Sequence, residues 1–175
     1  MGSGRRGEPN ERFLLAEKMD QDKVKQQDAG APPTRAFFRQ GAGAAWPICL
    51  GFFPIGLALG VLAQQAGLPA WAVAAMSIVV FAGSSQFICV AMLASGASPA
   101  AIVLATLMVN LRHALMSSAL AVHLRGVDRW FLTLFAYGIT DESFAVNMAR
   151  FRSGSWNRWS ALTVNQLSNF AWIVA

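Results

Sequence analysis

The chain has 175 residues, 55% of them hydrophobic and 13% charged, about half the charge of a soluble domain. Eight of the 14 Lys/Arg and six of the nine Asp/Glu crowd into residues 1–40, so the rest of the chain is too poor in charge to cover a water-facing surface and fits a bilayer instead. The formal charge of +5 does not indicate nucleic acid, because much of the excess sits in short connections beside apolar stretches, where Lys and Arg set membrane topology.

Residues 1–35 are polar, mixed in sign and closed off by Pro32-Pro33, and read as a disordered cytoplasmic tail. Arg5-Arg6 precedes only Phe13-Leu14-Leu15-Ala16, too short an apolar run for a secretory or twin-arginine signal; a start at Met19 is the alternative. Residues 36–175 read as one all-α transmembrane domain, a polytopic helix bundle with some helices broken at mid-membrane. Five apolar stretches occupy residues 42–63, 71–94, 100–124, 130–149 and 160–175. The first four reach the roughly 20 residues a helix needs to cross hydrocarbon. The fifth is still apolar at Ala175, from which a domain incomplete at its C-terminus is expected. Connections at 64–70, 95–99, 125–129 and 150–158 suit antiparallel neighbours.

The first stretch carries Trp46-Pro47 and Phe53-Pro54-Ile55-Gly56. Proline removes a backbone donor, so a helix break is expected at Pro54 and Gly56. Gly56 and Gly60 also have the spacing of close helix packing. Gly83-Ser84-Ser85 predicts a similar break in the second stretch, with free N–H groups able to meet a carboxylate. Cys49 and Cys89 lack metal-ligand spacing and read as small buried hydrophobes. Trp46, Trp71, Trp130, Trp156 and Trp159 fall near segment ends, as an interfacial belt does. Residues 150–158, with three arginines, read as a loop touching anionic headgroups. His123, near a helix end, reads as interfacial.

With five crossings and the N-terminus inside, seven basic residues flank the inner ends (Lys23, Lys25, Arg35, Arg39, Arg150, Arg152, Arg158) against Arg125 and Arg129 outside. A re-entrant segment in place of a crossing would flip the later topology.

Polar groups recur in the middle of the apolar stretches: Phe81-Ala82-Gly83-Ser84-Ser85-Gln86, Asn110-Leu111-Arg112-His113, Gly138-Ile139-Thr140-Asp141-Glu142-Ser143, then Asn165-Gln166 and Asn169. An ionisable side chain at that depth costs about 3 kcal/mol unless paired or hydrated, so Arg112 needs Asp141 or Glu142. A structural ion pair is one reading. A functional polar pathway is the other, favoured because four segments contribute to one layer. A small zwitterionic solute would then place a carboxylate on Arg112 or on the N–H groups of residues 83–85, and an ammonium on Asp141 or Glu142. Phe81, Phe87 or Phe144 would meet its apolar side chain, while Ser84, Ser85, Gln86 and Asn110 complete the substrate-binding set. Asp141, Glu142 and His113 are candidates for proton coupling, His113 because imidazole titrates near neutral pH; hydrogen-bonded packing is its other reading. No metal set and no cofactor are expected. A serine hydrolase using Ser84, Ser85 or Ser117 with His113 lacks any nucleophile context, so no enzyme is expected. A passive channel for small solutes and a non-transporting subunit or remnant remain as alternatives.

The blocks Pro54-Ile55-Gly56-Leu57-Ala58-Leu59-Gly60-Val61-Leu62-Ala63, Ala66-Gly67-Leu68-Pro69, Phe81-Ala82-Gly83-Ser84-Ser85-Gln86-Phe87, Asn110-Leu111-Arg112-His113-Ala114-Leu115-Met116 and Thr140-Asp141-Glu142-Ser143-Phe144-Ala145 resemble, in that order, the AzlC-type branched-chain amino-acid permease family. The resemblance covers roughly residues 36–170. It implies export of leucine, isoleucine and valine, in some members methionine, from a multi-pass protein of the plasma membrane. It also implies a small AzlD-type membrane partner. Family members continue through further apolar segments, where this chain ends.

Overall fold

The computed structural model describes Met19 and residues 35–80, 82–154 and 156–175. The tail expected over residues 1–35 therefore lies almost wholly outside the described residues, as does Phe81. The described residues form an all-α membrane protein of seven helices with no strand: α1 (Arg35–Gln65), α2 (Ala70–Val79), α3 (Gly83–Ala94), α4 (Pro99–Ala121), α5 (Arg129–Tyr137), α6 (Asp141–Arg152) and α7 (Arg158–Val174).

Local chemistry sets these limits. Ser98 caps α4 with Pro99 following, and Asp128 and Asn157 accept from the Trp130 and Trp159 amides at the starts of α5 and α7. Thr140 and Ser143 form a reciprocal capping box that starts α6. Two helices, α1 and α4 with its 3-10 extension, are long and apolar enough to cross a membrane. α4 turns Val103, Leu104, Leu107, Leu111 and Leu115 outward, as a helix facing lipid does. The break expected at Pro54 and Gly56 is absent. α1 runs unbroken through both prolines, and Gly56 instead lets the chain at Ala175 approach the helix.

The second and fourth stretches do not cross; each folds back on itself. Gln86 Nε2 donates to Ser77 Oγ at 3.0 Å, whereas nine residues of straight helix would separate them by about 14 Å. Asn165 Nδ2 donates to the Phe135 carbonyl at 2.9 Å while Asn165 Oδ1 accepts from Asn147 at 2.9 Å, so α5 and α6 lie side by side against α7. The pairs α2–α3 and α5–α6 are thus re-entrant hairpins, and the expectation of crossings there is corrected. Their tips survive at membrane depth because protein groups satisfy the freed carbonyls. Tyr137 Oη donates to Ile78 O at 2.7 Å, and Asn165 and Gln166 donate to Phe135 O and Leu134 O.

The pairings also fix directions. Gly41 meets Ser160 and Thr163, Phe52 meets Trp172, and Gly56 meets Ala175, so α1 and α7 run parallel. Arg112 meets Asp141 and His123 stacks on Phe151 with centroids 5.0 Å apart, so α4 and α6 run parallel. α1 ends, and α4 begins, at one end of the bundle, where the α2–α3 hairpin enters. α4 ends, and α7 begins, at the opposite end, where α5–α6 enters. The unit of long helix plus hairpin is therefore repeated in inverted orientation, in the manner of transporter repeats. Arg125 and Arg129 now share an end with Arg35, Arg39, Arg150, Arg152 and Arg158, while the connections at 66–69 and 95–98 carry no charge.

Of the tryptophans expected at the interface, Trp71 and Trp130 are exposed at the starts of α2 and α5, and Trp46 is exposed well inside α1. Trp156 departs from that expectation: it is buried, and its indole N–H donates to Asn147 Oδ1 at 2.9 Å. Cys49 and Cys89 are free and half-buried.

Candidate functional site

The two hairpin tips meet in the middle of the bundle. α3 begins at Gly83 with no side-chain cap on its first turn, so backbone N–H groups there are available to an anion. α6 begins at Asp141 with its cap in place and two carboxylates in its first turn, which complement the positive helix end. Arg112, on α4, bridges the two. Nη1 pairs with Asp141 Oδ2 at 2.6 Å and Nη2 donates to Ser84 Oγ at 3.0 Å, while Nε has no partner among the described residues. A guanidinium is the side chain for this, because its planar fork holds two acceptors in different directions.

Around this bridge lies a cavity of about 180 Å³ lined by Gly83, Ser84, Phe87, Arg112, His113, Thr140, Asp141 and Glu142, with Phe52, Ile55 and Trp172 as its apolar side. That is below the several hundred Å³ of drug-sized sites and fits a solute on the scale of one amino acid. His113 faces the backbone of Ile139 at the α5–α6 tip and leaves Nε2 without a partner among the described residues. Glu142 makes no ion pair among the described residues. The Arg112 and Asp141 side chains are 33% and 49% exposed, so this side of the cavity must meet water or further protein; hydrocarbon would penalise both charges.

Of the residues singled out in the sequence, Gly83, Ser84, Arg112, His113, Asp141 and Glu142 are brought together here. Others are not. Ser85 is buried, its hydroxyl donating to Ala82 O at 2.9 Å as a brace of the hairpin tip. Gln86 is buried between Ser77 and Trp172. Asn110 does not line the cavity, and its Oδ1 is buried without a partner among the described residues. Pro54 and Gly56 stay within α1. Asn165 and Gln166, counted in the polar layer, cap α5 instead. Thr140 and Trp172 were missed. Thr140 had a signal, a threonine three residues before Ser143 and two after Gly138; Trp172 had none, since only folding brings it beside Gly83.

The family model described as "AzlC protein" matches residues 47–175. The chain belongs to the AzlC family. The inner membrane protein YgaZ of Escherichia coli K12 is 31% identical over 129 residues, 73% of this chain and 52% of that protein. The branched-chain amino acid transport protein AzlC of Bacillus subtilis 168 is 31% identical over 139 residues, 79% of this chain and 54% of that one. An uncharacterized membrane protein of Archaeoglobus fulgidus is 33% identical over 113 residues, 65% of this chain and 49% of its own length. This AzlC-family chain spans about half the length of the curated relatives it matches. No solved structure matches it.

Proposed function

We propose that this protein moves a small zwitterion, a branched-chain amino acid such as leucine, isoleucine or valine, across the plasma membrane. The observation that carries the reading is the polarity of the cavity. One hairpin tip offers uncapped N–H groups and Ser84 to a carboxylate, beside Arg112 of α4; the other offers Asp141 and Glu142 to an ammonium. Phe52, Ile55, Phe87 and Trp172 receive the aliphatic side chain. The name of the Bacillus subtilis relative supports the substrate class. Movement is export coupled to protons, with Glu142 and His113 as carriers and Asp141 exchanging Arg112 for the substrate ammonium. The basic end of the bundle is cytoplasmic, with the N-terminus, as the positive-inside rule requires. A small AzlD-type membrane protein works with the chain, against the exposed side of the ion pair.

Cells co-expressing the chain with an AzlD-type partner, and preloaded with labelled leucine, isoleucine and valine, test this. Efflux should accelerate, and should return to background in Arg112→Ala and on collapse of the proton gradient. Arg112→Ala present in the membrane with undiminished efflux would make the ion pair purely structural and remove the site assignment. Efflux that persists without a proton gradient would mark a passive channel.

A further inference from the structure

Trp172 lines the charged cavity at the hairpin tips and also borders a half-open groove between α1, α2 and the last residues of α7, past Leu59, Val73 and Ser77. The indole is fixed from three directions. Its N–H donates to Gln86 Oε1 at 2.8 Å, and Phe52 packs edge-on with centroids 5.2 Å apart. Gly83 backs it so closely that a Cβ there would lie 2.9 Å from Cη2 and 3.0 Å from Cζ2. Gln86 is itself held by Ser77, so the ring's position is set by the α2–α3 hairpin and is not left to rotamer choice.

We infer that Trp172 sets the upper size limit of the solute side chain, closing the charged cavity to anything larger than a branched aliphatic group. This rests on the reading that the cavity holds an amino acid. The indole is rigid and aromatic, and the space in front of it is small. Truncating the indole would enlarge that space by the volume of the ring. Gly83 acts with it, because any side chain at that position either fills the cavity or drives the ring into it.

The test is a panel of labelled alanine, valine, leucine and phenylalanine in the same efflux assay, on protein shown to be in the membrane. Trp172→Ala enlarges the cavity and should raise phenylalanine efflux relative to leucine about tenfold or more, in line with what the size of an apolar pocket can discriminate. Trp172→Phe should keep an aliphatic preference. Gly83→Ala acts in the opposite direction and does not remove the ring; it should lower leucine efflux relative to alanine. Trp172→Ala or Gly83→Ala transporting with an unchanged profile, or with all four substrates lowered alike, would reduce Trp172 to a packing residue. Unmodified protein that moves none of the four would overturn the transport reading, and this inference with it.

Discussion

Arg112 is the side chain on which both hairpin tips depend. It lies on a spanning helix, yet its two terminal nitrogens reach the first turns of two different half-helices. A lysine keeps the charge but presents a single head, which can serve Asp141 or Ser84 but not both in the same geometry. Arg112→Lys should therefore leave the protein folded and lower amino-acid efflux about tenfold or more, the scale of one lost charge-assisted hydrogen bond of roughly 1.5–3 kcal/mol. Initial rates at saturating and limiting leucine would show it. The sequence made the Arg112–acid pairing legible, because an arginine in an apolar stretch has few partners. It did not choose between Asp141 and Glu142, since that depends on where α6 starts. The capping box puts Asp141 at the first helical position and turns it toward α4, leaving Glu142 on the cavity wall.

At the scale of elements, the re-entrant hairpins exist because their exposed backbone ends are satisfied by side chains from α7 and from each other. The Asn147 amide donates to Asn165 and accepts from Trp156, in a site with no water-exposed surface on either asparagine. Asn147→Leu would leave the Asn165 carbonyl and the Trp156 N–H buried and unpaired, and should cost about 2 kcal/mol or more, read as a lower unfolding midpoint in detergent. Thr140→Ala removes half of the capping box and should cost about 1 kcal/mol by the same measurement, with a larger effect on efflux because the tip carries Asp141. The break at Gly83 could be anticipated from Gly-Ser-Ser. The break before Asp141 has a comparable cue in Gly138 and Thr140, within a stretch long enough to cross. Pro54 is the opposite case: proline and glycine favour a break there, and α1 stays whole.

For the whole molecule, inverted repetition explains what charge counting left awkward. With five crossings, Arg125 and Arg129 oppose the positive-inside vote. With α2–α3 and α5–α6 re-entrant, every connection that carries Lys or Arg lies at the end of the bundle where α1 begins. The two arrangements differ at two connections, which single cysteines can decide in a background without Cys49 and Cys89. Gln65→Cys and Ser95→Cys should both react with an impermeant maleimide added to intact cells. Arg125→Cys and Ser153→Cys should react only after permeabilisation. Reaction of Ser95→Cys only from inside, with Arg125→Cys from outside, would restore five crossings.

The sequence by itself determined that this is an all-α membrane protein, which stretches are apolar, and which few ionisable groups must find partners within them. Those follow from composition and from the cost of an unpaired charge in hydrocarbon, and both are local quantities. Only the tertiary structure decided that two of the apolar stretches turn back, that their first turns meet at Arg112, and that Trp172 closes the space between them. A stretch of some two dozen apolar residues satisfies the same hydropathy pattern whether it crosses or returns. The difference lies in long-range hydrogen bonds to its freed backbone groups, such as those from Tyr137, Asn165 and Gln166, and no local pattern records them.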